Sequence, residues 1–217
     1  MARVKICGLT SGADLRAAID AGADAIGVIT EVPVETPREV DRSTAANLVA
    51  LVPPFVTATL VTMPETIEDA VDLARTVEPD ALQLHGEFDA DELGYLRAET
   101  GLKVIPAIDH AEADRVRSID DAADAILLDS TTEEGAGGTG ETHDWGAAGE
   151  LADELSSPVI LAGGLTPENV ERAVRTASPY AVDVASGVEA EGGRKDHTAV
   201  ATFVRNAGRE LEVRAEP

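Results

Sequence analysis

Several residue types are scarce in this 217-residue chain, and each scarcity excludes a class of protein. A single cysteine excludes both an internal disulfide framework and a zinc site made of four cysteines. Apolar runs stay well short of the roughly 18 residues that a membrane span needs, and the opening MARVKICGLT lacks the apolar core of a signal peptide. We therefore expect a soluble, cytoplasmic protein that does not bind membranes.

Positive charge is also scarce. The chain has 17 Lys and Arg residues and 41 Asp and Glu residues, which gives a formal net charge of −24. The acidic residues are spread along the chain, so the surface repels itself in dilute buffer and is screened at 1 M salt, where the Debye length is roughly 3 Å. This predicts a halophilic protein from a salt-rich cytosol, and the alternative is an ordinary acidic enzyme. It also excludes nucleic acid as a partner, but not a small anionic substrate, since a binding site depends on its local charges.

Short β-rich runs alternate with helical patterns along the whole chain. The average of roughly 27 residues per unit favours a compact, single-domain α/β fold, the (β/α)₈ barrel. We expect the barrel to span residues 1–210, with 211–217 as a tail. A doubly wound open sheet is the alternative, but the segment after the first run, GLTSGAD, is not GxGxxG. The predicted strands are 4–7, 25–29, 55–61, 81–85, 103–108, 125–129, 158–163 and 181–186, and helix starts are predicted at Ser11, Asp41, Asp89 and Thr166-Pro167.

Alternation along the strands predicts which side chains point into the barrel. Lys5 and Cys7 share one face of the first strand, Gln83 and His85 share one face of the fourth, and Asp183 opposes valines in the eighth. The polar faces are expected to point inward, and their C-terminal members open onto the mouth where this fold builds active sites.

Two strand ends carry residues suited to acid–base chemistry. Cys7 is either a small buried hydrophobe or, with the Lys5 ammonium nearby to favour its thiolate, a base or nucleophile. Asp129 is either a loop or capping residue or, at the lip of an apolar barrel, a carboxyl that retains its proton and serves as a general acid.

Glycine-rich segments suggest a phosphate site. LAGGLTPEN (161–169) follows the seventh strand and ASGVEAEGGRKD (185–196) follows the eighth, and loops after these two strands commonly bind phosphate in barrels. The alternative is plain tight turns. Ser186 would add a hydroxyl donor and Lys195 a charge, and a third segment, GAGGTG (135–140), follows Asp129.

Two further residues have less specific patterns. Arg38, in TPREV after the second strand, is either a solvated surface group or a bidentate partner for a carboxylate. His85 could bind a metal, but without a convincing second ligand a structural hydrogen bond is favoured.

Together these motifs resemble the phosphoribosylanthranilate isomerase family of tryptophan biosynthesis. The matching pieces are KICGLT, GADAIGVI, TPREV, LQLHG, LLDS, GGTGETHDW, LAGGLTPENV and DVASGVE…GGRKD, in the family's order. The resemblance implies a (β/α)₈ barrel that converts N-(5-phospho-β-D-ribosyl)anthranilate to 1-(2-carboxyphenylamino)-1-deoxy-D-ribulose 5-phosphate. It implies no metal and no organic cofactor. The sequence leaves open whether the protein is a monomer or a homodimer.

The resemblance also implies roles for individual residues. Asp129 would be the general acid and Cys7 the general base, while Arg38 would bind the anthranilate carboxylate. The remaining substrate-binding residues would be Gln83 and Asp183, which line the barrel, and Gly163, Gly164, Ser186 and Gly187, which hold the phosphate.

The sequence departs from the family pattern at Ala185, where a second serine is usual, and at His143, where the family has phenylalanine. The alternative functions are a non-catalytic barrel that binds a phosphorylated metabolite and another phosphosugar isomerase or epimerase.

Overall fold

The computed structural model describes residues 2–129 and 145–208 of the chain, and within them eight parallel strands form a closed barrel. The strands are β1 Arg3–Ile6, β2 Ala25–Ile29, β3 Thr57–Thr62, β4 Ala81–His85, β5 Lys103–Asp109, β6 Ile126–Asp129, β7 Val159–Ala162 and β8 Ala181–Val184. The helices are α1 Gly12–Asp20, α2 Arg42–Val49, α3 Ile67–Val77, α4 Ala90–Thr100, α5 Ala113–Ile119, α6 Trp145–Glu154, α7 Val170–Ala177 and α8 His197–Asn206. The predicted (β/α)₈ architecture and all eight predicted strands are confirmed.

The barrel closes where β1 pairs with β8. Lys5 is in register with Asp183, and Ile6 with Val184. Because every strand runs in the same direction, all eight C-terminal ends meet at one mouth. A short antiparallel hairpin, β9 Glu189–Glu191 and β10 Arg194–Lys195, follows β8.

Three of the four predicted helix starts are confirmed by capping hydrogen bonds. The side chains of Ser11, Asp41 and Asp89 each accept a backbone N–H of the first helical turn. The prediction at Thr166-Pro167 is wrong by a few residues, because the regular helix begins at Val170. The Asn169 side chain accepts from the Thr166 N–H at 2.8 Å and holds the intervening residues in a turn.

The predicted alternation divides the barrel into two layers. The outward valines of β8, Val182 and Val184, belong to the main apolar cluster, together with helix residues such as Leu93 and Phe203. A second, smaller cluster lines the barrel interior, from the N-terminal end to the mouth. Its members are Ala81, Ile105, Ala107, Ala125, Leu127, Ile160, Ala162 and Ala181.

Two predicted segments lie outside the described residues: the glycine-rich segment 135–140 and the tail 211–217. Among the described helices, none has the length and apolar character needed to cross a bilayer.

Candidate active site

A cavity of about 240 Å³ opens at the C-terminal ends of the strands. Eight of the nine predicted site residues lie on its wall. They are Cys7, Gln83, Asp129, Gly163, Gly164, Asp183, Ser186 and Gly187. The remaining wall is formed by Ile29, Val61, His85, Leu127, Ala162, Leu165, Val184 and Ala185. The structure therefore brings the two candidate acid–base residues and the candidate phosphate loops to one cavity.

Cys7 follows β1 directly and is anchored by its backbone, whose N–H donates to the Val184 carbonyl at 2.8 Å. The residue is only 5% exposed. Gly27 on β2 makes room for the thiol, since a Cβ there would lie 2.7 Å from Sγ. Burial raises the pKa of the Cys7 thiol, and the attraction of the Lys5 ammonium offsets this only in part. Lys5 thus acts on the thiol as predicted, but it does not make the thiolate the resting form.

Lys5 is the centre of a buried polar group inside the barrel. Its Nζ lies 2.9 Å from Asp183 Oδ2 and 2.8 Å from Gln83 Oε1. Burial alone would lower the pKa of Lys5, but the Asp183 carboxylate outweighs it and the net shift is upward. The ammonium therefore stays charged inside the barrel, directly below Cys7.

Asp129 ends β6, in register with Asp109 on β5. It is half-buried and faces the same cavity as Cys7, from which β7 and β8 separate it around the barrel. A substrate in the cavity can therefore contact a thiol and a carboxyl from different sides. This geometry favours the general-acid interpretation of Asp129 over a plain loop residue.

The loops after β7 and β8 pack closely against each other. Gly163 and Gly164 have positive φ of 87° and 56°, a conformation that favours glycine. A Cβ on Gly187 would lie 1.9 Å from the Leu165 carbonyl oxygen, so this position admits no side chain. These glycines allow the two loops to pack together, and both loops contribute residues, including Ser186, to the cavity wall.

Lys195 does not supply the phosphate charge expected of it, since it is not among the residues that line the cavity. Its buried Nζ donates to the Ala185 carbonyl at 2.9 Å and to Glu189 at 2.9 Å. Lys195 therefore stabilises the loop after β8 through hydrogen bonds and does not line the cavity.

Arg38 is likewise absent from the cavity wall, but it lies next to the mouth. Its side chain packs over Gly8, and its Nε and Nη2 each donate to Glu189 at 2.8 Å. These bonds use one edge of the guanidinium, and the Nη1–Nη2 edge remains geometrically able to hold a second carboxylate. Sequence reasoning missed Glu189, although SGVE and GGRKD frame the hairpin that positions it.

His85 makes the structural hydrogen bond predicted for it, since its Nε2 lies 2.9 Å from Gln83 Nε2. Burial, followed by the Lys5 charge, lowers the pKa of His85. Among residues 2–129 and 145–208, no group of three or more His, Cys, Asp or Glu side chains is placed to hold a metal ion.

Comparison with known proteins decides between the functions that the motifs left open. The model of the family described as N-(5'-phosphoribosyl)anthranilate (PRA) isomerase matches residues 4–206. The chain belongs to the phosphoribosylanthranilate isomerase family. It is an isomerase of tryptophan biosynthesis, and the reaction is the rearrangement of a phosphoribosylated anthranilate.

Individual family members are similar over nearly their whole length. N-(5'-phosphoribosyl)anthranilate isomerase of Halorubrum lacusprofundi is 68% identical and covers 98% of this chain and 100% of its own. This haloarchaeal relative agrees with the halophilic character that the charge predicts. A crystal structure of monomers of the dimeric phosphoribosylanthranilate isomerase from Thermotoga maritima is also similar. Its chain is 32% identical in sequence, superposes with a TM-score of 0.82, and the match covers 95% of this chain and 98% of that one.

A third relative was crystallised with a ligand. It is a phosphoribosylanthranilate isomerase in complex with reduced 1-(o-carboxyphenylamino)-1-deoxyribulose 5-phosphate. It is 34% identical, has a TM-score of 0.81, and covers 95% of this chain and 98% of that one.

Proposed function

We propose that Asp129 and Cys7 carry out the family's rearrangement as general acid and general base. The observation that supports this most is their place on one cavity of about 240 Å³, whose wall also includes the glycine loops after β7 and β8. Two acid–base groups on different strands can act on two atoms of the same sugar.

The reaction divides into three proton movements. Asp129 donates its proton to the furanose ring oxygen, and the C1′–O bond breaks to give a Schiff base. The Cys7 thiolate removes the proton from C2′, and the electron pair moves toward the imine nitrogen to give an enolamine. The enolamine then tautomerises to the ketone, as the C2′ hydroxyl loses a proton and C1′ gains one. Proton exchange with solvent afterwards returns Asp129 and Cys7 to their starting forms, so the composition does not change.

The phosphate is held by neutral donors. We place it between the backbone N–H groups of Gly163, Gly164 and Gly187 and the Ser186 hydroxyl, because these residues lie on the cavity wall in two loops that pack against each other. The chain has Ala185 where the family usually has serine. Here the Ala185 carbonyl accepts from Lys195, which fixes the loop from behind. Gln83 and Asp183 complete the substrate-binding wall below.

The direct test is a fluorescence assay at molar salt. The purified protein is incubated with phosphoribosylanthranilate, and loss of anthranilate-type fluorescence is followed. Turnover that saturates with substrate is the expected result. Tight substrate binding without turnover would contradict the acid–base assignment and favour a non-catalytic binding barrel.

Arg38 is proposed to bind the anthranilate carboxylate through its Nη1–Nη2 edge while Glu189 holds the opposite edge. We expect Arg38→Met to raise KM by a factor on the order of 10 or more while kcat changes little, because a contact kept from ground state to transition state contributes uniform binding. Steady-state kinetics at molar salt measure both constants. Arg38→Lys is the matched control for charge, and it should recover only part of the affinity, since an ammonium cannot bind the carboxylate bidentately. An unchanged KM in Arg38→Met would exclude this role.

A homodimer is proposed for the quaternary state. Phe55 is 98% exposed on the rim of a second cavity, of about 510 Å³, at the N-terminal end of the barrel. Its wall combines small side chains with charged ones, namely Ala25, Ala81, Ala125 and Ala181 with Arg3, Asp24, Lys103 and Asp124. An exposed aromatic ring beside a hollow that is lined in part by alanine suits the self-complementary contact of a two-fold dimer. The dimeric state of the Thermotoga maritima relative supports this interpretation.

Light scattering at molar salt tests the dimer. We expect a mass of twice 22.5 kDa for the wild type and of one chain for Phe55→Ser. Tyr95→Ser removes another exposed aromatic ring, on α4 and away from that cavity, and should leave the dimer intact. A monomeric wild type at tens of micromolar would overturn the proposal.

The cellular location proposed for the enzyme is the cytoplasm, since its acidic surface suits a salt-rich cytosol. A small phosphorylated substrate is its proposed partner there. Residues 1–210 are proposed as its barrel domain.

A further inference from the structure

Three inner side chains form a hydrogen-bonded row between β1 and β4. Lys5 Nζ lies 2.8 Å from Gln83 Oε1, and Gln83 Nε2 lies 2.9 Å from His85 Nε2. Lys5 and Gln83 are buried in the barrel, and His85 stands at the end of β4 on the active-site cavity. The row therefore connects the ammonium below Cys7 to an imidazole at the mouth.

The chemistry of the three groups fixes the direction of every bond in the row. An ammonium only donates, so the amide oxygen of Gln83 must face Lys5. The amide nitrogen then faces His85 and donates, so His85 Nε2 must carry a lone pair. An imidazolium has a proton on both nitrogens and cannot accept here. The row thus holds His85 neutral, with its proton on Nδ1.

Ionisable groups from several strands surround this ring. Burial is the main cause that lowers the pKa of His85, and Lys5 acts in the same direction, whereas the carboxylates of Asp129 and Asp183 oppose it. The neighbouring strand β5 places Ala107 in register with His85. The ionisable groups on or beside the same cavity are Lys5 from β1 and Cys7 directly after it, Asp129 from β6, Asp183 from β8, Asp109 and His110 at the end of β5, and Arg115 of α5, whose guanidinium donates to the carbonyl of Gly86 next to His85.

We propose that the row Lys5–Gln83–His85 is a positioning device that keeps His85 an uncharged imidazole on the cavity wall it shares with Asp129, so that no positive charge from the ring opposes proton donation by Asp129. The proposal rests on the proposed role of Asp129 as general acid. An imidazolium on the same wall would favour the carboxylate over the carboxylic acid, and a carboxylate has no proton to give. Gln83 is the positioning residue, because Lys5 fixes the orientation of its amide and the amide N–H then donates to the ring.

Two substitutions of nearly equal length separate hydrogen bonding from charge. In Gln83→Glu the carboxylate accepts from Lys5 and also from a protonated His85 Nε2, which stabilises the imidazolium. In Gln83→Met both hydrogen bonds are lost and no charge is added. Circular dichroism and thermal unfolding at molar salt establish that each variant folds.

Nitrogen-15 NMR of the imidazole rings in the unliganded protein gives the decisive readout, and the spectrum of His85→Asn assigns the His85 signals. In the wild type we expect a neutral ring at pH 7 with the proton on Nδ1. Gln83→Glu should raise the titration midpoint of His85 by at least about one pH unit, whereas Gln83→Met should give mixed tautomers of a ring that stays neutral. A wild-type proton on Nε2, a ring half-protonated at pH 7, or an unmoved midpoint in Gln83→Glu would overturn the proposal.

Kinetics then test the consequence for catalysis. At a pH below the raised titration midpoint of His85, kcat of Gln83→Glu should be about 10-fold lower than kcat of Gln83→Met, and the two variants should have similar KM. The kcat of Gln83→Glu should recover as the pH rises and the ring becomes neutral. Equal kcat in both variants at every pH would overturn the proposal. The proposed role of Asp129 has its own test, because full turnover in Asp129→Asn would contradict it. The NMR result does not depend on that outcome.

Discussion

Replacing Cys7 with alanine should lower kcat by at least about 100-fold, because one positioned base contributes roughly 10² to 10⁴ to a proton transfer. The thiol lies on the cavity wall, and Gly27 leaves its sulfur a defined space. Loss of this group removes the acceptor for the C2′ proton, whereas the proposed phosphate and carboxylate contacts remain. KM should therefore change much less than kcat in the fluorescence assay at molar salt.

The ionisation of the thiol provides an independent check on this assignment. Cys7 is the single cysteine of the chain, so alkylation by iodoacetamide or thiolate absorbance near 240 nm reports on it alone. Burial raises its pKa, so the thiolate fraction at neutral pH is small and grows as pH rises past the usual midpoint of a free cysteine. We expect the alkylation rate of the unliganded enzyme to keep increasing with pH above the pKa of a free cysteine. Bound product should protect the thiol from alkylation.

Two results would contradict the base assignment. One is Cys7→Ala turnover within a few-fold of the wild type. The other is a thiol that does not react with iodoacetamide at any pH in the folded protein, which would make Cys7 an inert core residue. Cys7→Ser is the matched variant, because it keeps a polar group of similar size but a far weaker base at neutral pH.

Strand patterning is why most of the site could be predicted from the sequence. A barrel places the last inward residue of each strand at the mouth, so Cys7 after β1 and Asp129 at the end of β6 could be assigned to one opening without coordinates. The same reasoning located Gly163, Gly164 and Gly187, since loops after consecutive strands are neighbours. These predictions need only the order of the strands and their direction.

Pairings across the barrel could not be predicted in the same way. The bond between Lys5 and Asp183 joins residues 178 positions apart, and it depends on the register with which β8 closes on β1. The net pKa shift of Cys7 depends on the balance between burial and that pair. The partners of Arg38 and Lys195 were missed for the same reason, because Glu189 reaches both only after the hairpin folds back.

Replacing Asp129 with asparagine is expected to lower kcat by a factor on the order of 100 or more, since the amide keeps the shape of the side chain but cannot deliver a proton to the ring oxygen. Asp109→Asn is a matched control. Asp109 is the register partner of Asp129 on β5, but its carboxylate accepts the Ala111 N–H at 2.8 Å and lies 3.3 Å from His110 Nδ1, and it does not line the cavity. Steady-state kinetics should therefore show a large loss of kcat in the first variant and a small change in the second.

The chemistry also predicts how Asp129→Asn depends on the substrate. Ring opening needs the acid, whereas proton removal from C2′ needs the base. An open-chain analogue that already carries the imine should therefore regain turnover in Asp129→Asn and remain inactive in Cys7→Ala. Equal losses on the cyclic and the open-chain compound would show that Asp129 acts on binding or folding, because a group specific to ring opening cannot affect a substrate that has no ring to open.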